Sequence, residues 1–101
     1  MRLEEVTFER MQSLVNTSFW AEFPNGAKVE LRATHVTKVM ESESAQLVRT
    51  PFSTFFLGPL TFLLKQNTYM VNHETFGAPM PIFLVPVAQQ PDGYIYEAVF
   101  T

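Results

Sequence analysis

Hydrophobic and polar positions change period once along this chain, dividing it into a short helical start and a long series of strands. Near the N-terminus Phe8, Met11 and Val15 fall at i, i+3 and i+7, one face of a helix. Thr7 stands where a helix cap would sit, and Glu9 lies in the first turn, where a negative charge meets the positive end of the helix dipole. The spacing predicts a helix over about residues 7–15. Arg10 occupies the position where a capping box would carry Glu or Gln, so the start signal is incomplete.

After Asn16 the period becomes two. Residues 17–23 put Phe19, Ala21 and Phe23 on one side and run into Pro24-Asn25-Gly26, a hairpin signal because proline presets φ and Asn-Gly tolerates positive φ. The next strand sets Val29, Leu31 and Ala33 against Lys28, Glu30, Arg32 and Thr34, the pattern of a half-buried strand. Beyond His35 the phase blurs, and Glu41-Ser42-Glu43-Ser44 reads as a polar loop. Residues 50–57 resume as a strand with apolar groups on both faces, ended by Gly58-Pro59. Residues 66–73 alternate Tyr69, Val71 and His73 with Thr68, Met70 and Asn72; residues 74–81 are a loop by composition.

Residues 82–88 read as a buried strand. Pro86 cannot donate a ladder hydrogen bond, which confines it to an edge, a bulge or a strand end. Gln90-Pro91-Asp92-Gly93 predicts a type I turn with glycine at the left-handed position after it, joining this strand to residues 94–100. In that last strand Tyr94, Tyr96, Ala98 and Phe100 oppose Ile95, Glu97 and Val99, so neither face is polar. About six strands at roughly ten-residue spacing, with no crossover helices between them, predict a single mainly β domain. The expected architecture is a small antiparallel barrel or two-layer sandwich, with one short N-terminal helix over an open end or face.

Composition adds an expectation about partners. Charged residues make up 17% of the 101 positions and aromatics 14%, ten of them Phe, against about 25% charged in a typical globular domain. So small a domain has much surface per volume, and some of this apolar material is expected to meet a partner, through self-association or docking on a larger protein assembly. The net charge of -3, with seven basic residues scattered from Arg2 to Lys65, argues against nucleic acid and against an anionic membrane surface. The first twelve residues are acidic where a signal peptide would be basic and then apolar. The apolar run at residues 55–64 is broken by Gly58, Pro59 and Thr61 and falls short of the roughly 18–20 residues of a membrane span. With no cysteine in the chain, these features predict a soluble protein of the cytoplasm.

Catalytic chemistry finds little to work with. The sequence shows no glycine-flanked serine elbow, no phosphate-cradling glycine motif and no ligand spacing that suggests a metal, so no cofactor is expected. His73 and Glu74 are adjacent, which on a strand would send them to opposite faces. Glu97 lies in an apolar strand and either faces solvent between two outward apolar neighbours or accepts hydrogen bonds from Tyr69, His73 or backbone. If the domain holds a carbohydrate or an apolar small ligand, Trp20, Tyr69, His73 and Glu97 are the groups expected to orient it.

The second half carries a resemblance. Phe52, Phe56, Gly58 and Pro59, then Gln66, Tyr69, His73 and Gly77, then Phe83-Leu84-Val85-Pro86-Val87, and finally Gly93 with Tyr96-Glu97-Ala98-Val99-Phe100 resemble a small bacterial family of uncharacterised proteins of about this length. The likeness runs from Phe19 onward and is strongest after Gln66. It implies no activity and no catalytic residue. Its genomic association with proteins resembling phage tail collars implies a structural or assembly role.

Overall fold

A computed structural model describes residues 2–38 and 51–101; the polar loop expected at Glu41–Ser44 lies outside them. A 3-10 turn at Leu3–Glu5 leads into helix α1 (Phe8–Gln12). Six strands follow: β1 (Ser18–Glu22), β2 (Lys28–Lys38), β3 (Phe52–Gly58), β4 (Asn67–Asn72), β5 (Met80–Gln90) and β6 (Gly93–Phe100). They pair antiparallel in the order β1-β2-β3-β6-β5-β4, and β4 returns to β1 through Trp20↔Asn72, Ala21↔Val71 and Glu22↔Met70. The architecture is a closed six-stranded barrel, not a sandwich.

Alternation along each strand supplies the core. Phe19 and Ala21 of β1, Leu31 and Ala33 of β2, Phe52 and Phe56 of β3, Val71 of β4, Ile82 and Leu84 of β5, and Tyr96 and Ala98 of β6 are all buried. Three alanines among them leave room for the large rings, so Phe19 meets Phe56 edge-on at 5.1 Å and Phe52 stacks on Phe100 at 4.8 Å. Thr54 also points inward on β3, and its hydroxyl has no hydrogen-bond partner among the described residues.

Two irregularities reconcile the sequence pattern with closure. The register of β2 on β3 shifts between Ala33 and His35, so the buried positions step from Ala33 to Val36 and the phase that blurs after His35 is that of a β-bulge. A second shift, between Pro86 and Ala88, puts Pro86 at a bulge, one of the places open to it.

Both ends of the barrel are closed by side chains. At one end the backbone N–H of Leu64, itself buried, donates to the Tyr96 hydroxyl at 2.8 Å, drawing the segment 59–66 over the opening. Burial raises the Tyr96 phenol pKa, and the Leu64 bond opposes that shift. At the other end Val6, Met11 and Phe76 complete the core.

The helix is shorter than the predicted 7–15. Thr7 Oγ1 does accept the Arg10 N–H at 3.1 Å, but the helix stops at Gln12 and the chain turns through Asn16 at φ 70°. Asn16 tolerates that left-handed conformation and donates its N–H to Ala33 O at 2.7 Å, so pairing with the barrel ends the helix before Val15. The turn before β6 also differs in one respect. Pro91 and Asp92 link Gln90 to Gly93 as expected, yet Gly93 is not among the glycines with positive φ, which are Gly26 and Gly77. Glycine is required at 93 for space: a Cβ there would lie 2.3 Å from the Gly58 carbonyl oxygen and 2.6 Å from Leu57 Cδ1.

Candidate functional site

The outer surface of the barrel divides into two walls of different character. Across β3, β6 and β5 the outward rows pair Leu57 with Ile95, Phe55 with Glu97, Glu97 with Val85, and Ser53 with Val99. Phe83 and Val99 line one cleft of about 340 Å³ together with Leu3 and Pro81. Phe83 is 49% and Val99 54% exposed, and Val87 at the β5 bulge is exposed as well. The apolarity that the sequence shows on both faces of β3 and β6 is therefore gathered into one surface, because the two strands are neighbours. Across β1 and β2 the outward residues are Ser18, Trp20, Glu22, Lys28, Glu30 and Arg32, polar apart from the indole.

Glu97 sits in the middle of the apolar wall. Its Oε2 accepts a hydrogen bond from Ser53 Oγ at 2.7 Å, and Ser53 is itself buried. That hydroxyl, rather than Tyr69 or His73, answers the need for a partner. A serine this enclosed, with its proton committed to a carboxylate, holds the β3–β6 pairing together and is poorly placed to attack a substrate.

Tyr69 and His73 share a face of the β4 segment, as the alternation predicts, but serve opposite ends of the barrel. The Tyr69 hydroxyl donates to Lys65 O at 2.6 Å, and its ring lies 5.8 Å edge-on from Phe23; burial raises its phenol pKa. His73, only 3% exposed, packs against Phe19 at 4.5 Å and Phe76 at 5.5 Å. Its Nδ1 accepts the Thr75 N–H at 3.1 Å, which places the ring proton on Nε2. Nε2–H then donates to Thr17 Oγ1 at 2.8 Å, and the Thr17 hydroxyl donates onward to Leu14 O at 2.6 Å. Burial pushes the imidazole below its ordinary range, with Glu74 pulling weakly the other way. A neutral His73 thus ties the turn after α1 to the turn after β4.

Trp20 projects outward from β1 between Glu30 on β2 and Asn72 on β4. With Glu22, Lys28, Asn72, His73 and Glu74 it lines a cleft of about 280 Å³. The structure therefore brings Trp20 and His73 to one cleft and leaves Tyr69 and Glu97 elsewhere, Tyr69 near the 59–66 segment and Glu97 on the apolar wall. Among the described residues no three His, Cys, Asp or Glu side chains converge as metal ligands would. No helix among them is long and apolar enough to cross a membrane.

A second apolar feature escaped the sequence reading. Leu60, Phe62 and Leu63 are about half exposed on the segment over the barrel end, where Phe62 meets Phe23 at 6.0 Å beside a cleft of about 380 Å³. The available signal was the density of large apolar residues after Gly58-Pro59, unusual for a connecting segment.

The family described as Domain of unknown function (DUF6916) matches over residues 6–100, which takes in the whole barrel. The chain belongs to that family. Neither the curated proteins nor the solved structures give a significant match.

Proposed function

We propose that this member of the family is a non-catalytic interaction module that packs the outer wall of β3, β6 and β5 against protein, in the first place against another copy of itself. One observation carries the reading: Phe83 and Val99 stand half exposed beside one cleft on a wall whose outward rows are mostly apolar, with its carboxylate, Glu97, held by Ser53. Scattered surface apolar residues need no explanation, but a gathered patch on a small domain favours association. The closed barrel directs the proposal to a face. Each strand has a neighbour on both sides, so edge-to-edge pairing has little backbone to work with.

The resemblance noted in the sequence extends this reading to a bacterial assembly of the phage-tail-like kind, working in the cytoplasm. The proposal is tested by light scattering at concentrations from low to high micromolar. Association that rises with concentration and is removed by Phe83→Ser with Val99→Thr supports it; a strict monomer throughout contradicts it.

A further inference from the structure

The cleft at Trp20 has a build of its own, independent of the apolar wall. Trp20 is 36% exposed beside the polar outward residues of β1 and β2, with exposed Met70 opposite Glu22 on β4, and a lone exposed indole would mean little. Here the polar groups around it lie close together. Asn72 Nδ2 donates to Glu22 Oε2 at 3.2 Å, and Lys28 Nζ lies 4.0 Å from the same oxygen. Asn72 Oδ1 in turn accepts the His73 N–H at 2.9 Å, anchoring the amide to the end of β4. A carboxylate and an amide are thus hydrogen-bonded to each other, with an ammonium nearby, beside an indole in one cleft of about 280 Å³.

We propose that this cleft binds a pyranose ring of a neutral saccharide. A sugar presents a face of C–H bonds, which suits the electron-rich face of an indole, and a rim of hydroxyls, each both donor and acceptor. Neighbouring hydroxyls of one ring can donate to Glu22 while accepting from Lys28 or Asn72. Because Asn72 and Glu22 are already bonded to each other, part of the rotamer entropy of these two side chains is spent before binding. The cleft falls just below the roughly 300 Å³ at which pockets for drug-sized ligands begin, a size that suits one or two sugar rings. Two carboxylates, Glu22 and Glu74, against one ammonium, Lys28, leave the cleft with a net negative charge, which disfavours phosphorylated or acidic sugars and nucleic acid. His73 offers the cleft no free polar group from its side chain, since its ring is buried against Phe19 and Phe76 and both nitrogens are engaged by Thr17 and Thr75.

Trp20 is the one tryptophan of the chain, so its emission reports on this cleft alone. The experiment titrates the intact protein with glucose, galactose, mannose, N-acetylglucosamine and their short β-1,4- and α-1,4-linked oligomers. The expected result is a saturable change in Trp20 emission with at least one of these sugars, with a dissociation constant of about 1 mM or tighter for the oligomer. Glu22→Gln should weaken that binding about tenfold, which corresponds to the loss of one good hydrogen bond to a charged group. Trp20→Ala should abolish it by calorimetry while leaving the melting temperature within a few degrees. No saturable change with any of these sugars, or binding that survives both substitutions, would overturn the proposal.

Discussion

The two walls of the barrel have the same inside and different outsides. Phe19, Ala21, Leu31 and Ala33 on β1 and β2 are buried as completely as Phe52, Phe56, Tyr96 and Ala98 on β3 and β6. Outward, the first wall carries Ser18, Glu22, Lys28, Glu30 and Arg32 around a single indole, whereas the second carries Phe55, Leu57, Ile95 and Val99 around a single carboxylate. Folding needs only the inner half of each alternation, and the outer half is free to be polar. An outer half that is apolar over three adjacent strands therefore points to contact with something else.

The comparison breaks most readily if the inner and outer positions prove energetically alike. Phe56→Ala removes a ring packed against Phe19 and should cost about 3–5 kcal/mol in chemical denaturation. Phe83→Ala on the outer wall should stay within about 0.5 kcal/mol in the monomer. Equal losses at the two sites would mean that the outer wall is needed for folding itself.

A next test falls on the buried histidine just after β4. His73 is neutral in the fold and free to take a proton in the unfolded chain, so the folded state binds fewer protons as pH falls. The stability this contributes is complete above about pH 6.5 and is lost as pH drops through the folded-state value. The melting temperature should therefore fall on acidification below about pH 6.5, and His73→Gln should flatten that part of the profile. An unchanged profile in the variant would show that the Thr17–His73–Thr75 connection carries no such linkage.

One substitution is expected to give a gain. Thr54 is fully buried on β3 with its hydroxyl unpaired among the described residues, so Thr54→Val, of nearly the same shape, should stabilise the barrel by about 1 kcal/mol. A loss on denaturant titration would mean that the hydroxyl has a partner after all.

Much of the fold was legible because local rules governed it. The Pro24-Asn25-Gly26 hairpin, the constraint on Pro86 and the period-two runs each act within a few residues, and even the blurred phase after His35 was a faithful trace of a bulge. Features that depend on closure were hidden. Gly93 reads as a turn glycine, but its need for space comes from Gly58, which becomes its neighbour only when β3 pairs with β6. Helix α1 ends early because Asn16 bonds to Ala33, seventeen residues further along the chain.

The candidate site shows the same division. Tyr69 and His73 do share a face, yet four residues along an extended chain, at about 3.3 Å each, separate them by roughly 13 Å. One therefore serves each end of the barrel. Glu97 combines both expected environments, lying on the outer wall and accepting a hydrogen bond, but its donor Ser53 lies 44 positions away and no local pattern marks it. The grouping of Trp20 with Asn72 arises from the β1–β4 pairing that closes the barrel.

Sedimentation velocity on the wild-type chain beside the Phe83→Ser, Val99→Thr double variant asks whether the β3–β6–β5 wall mediates association. The expected result is a wild type whose sedimentation coefficient rises with concentration and a folded variant that stays monomeric under the same conditions. Two proteins that sediment alike as monomers, or that associate alike, would contradict it.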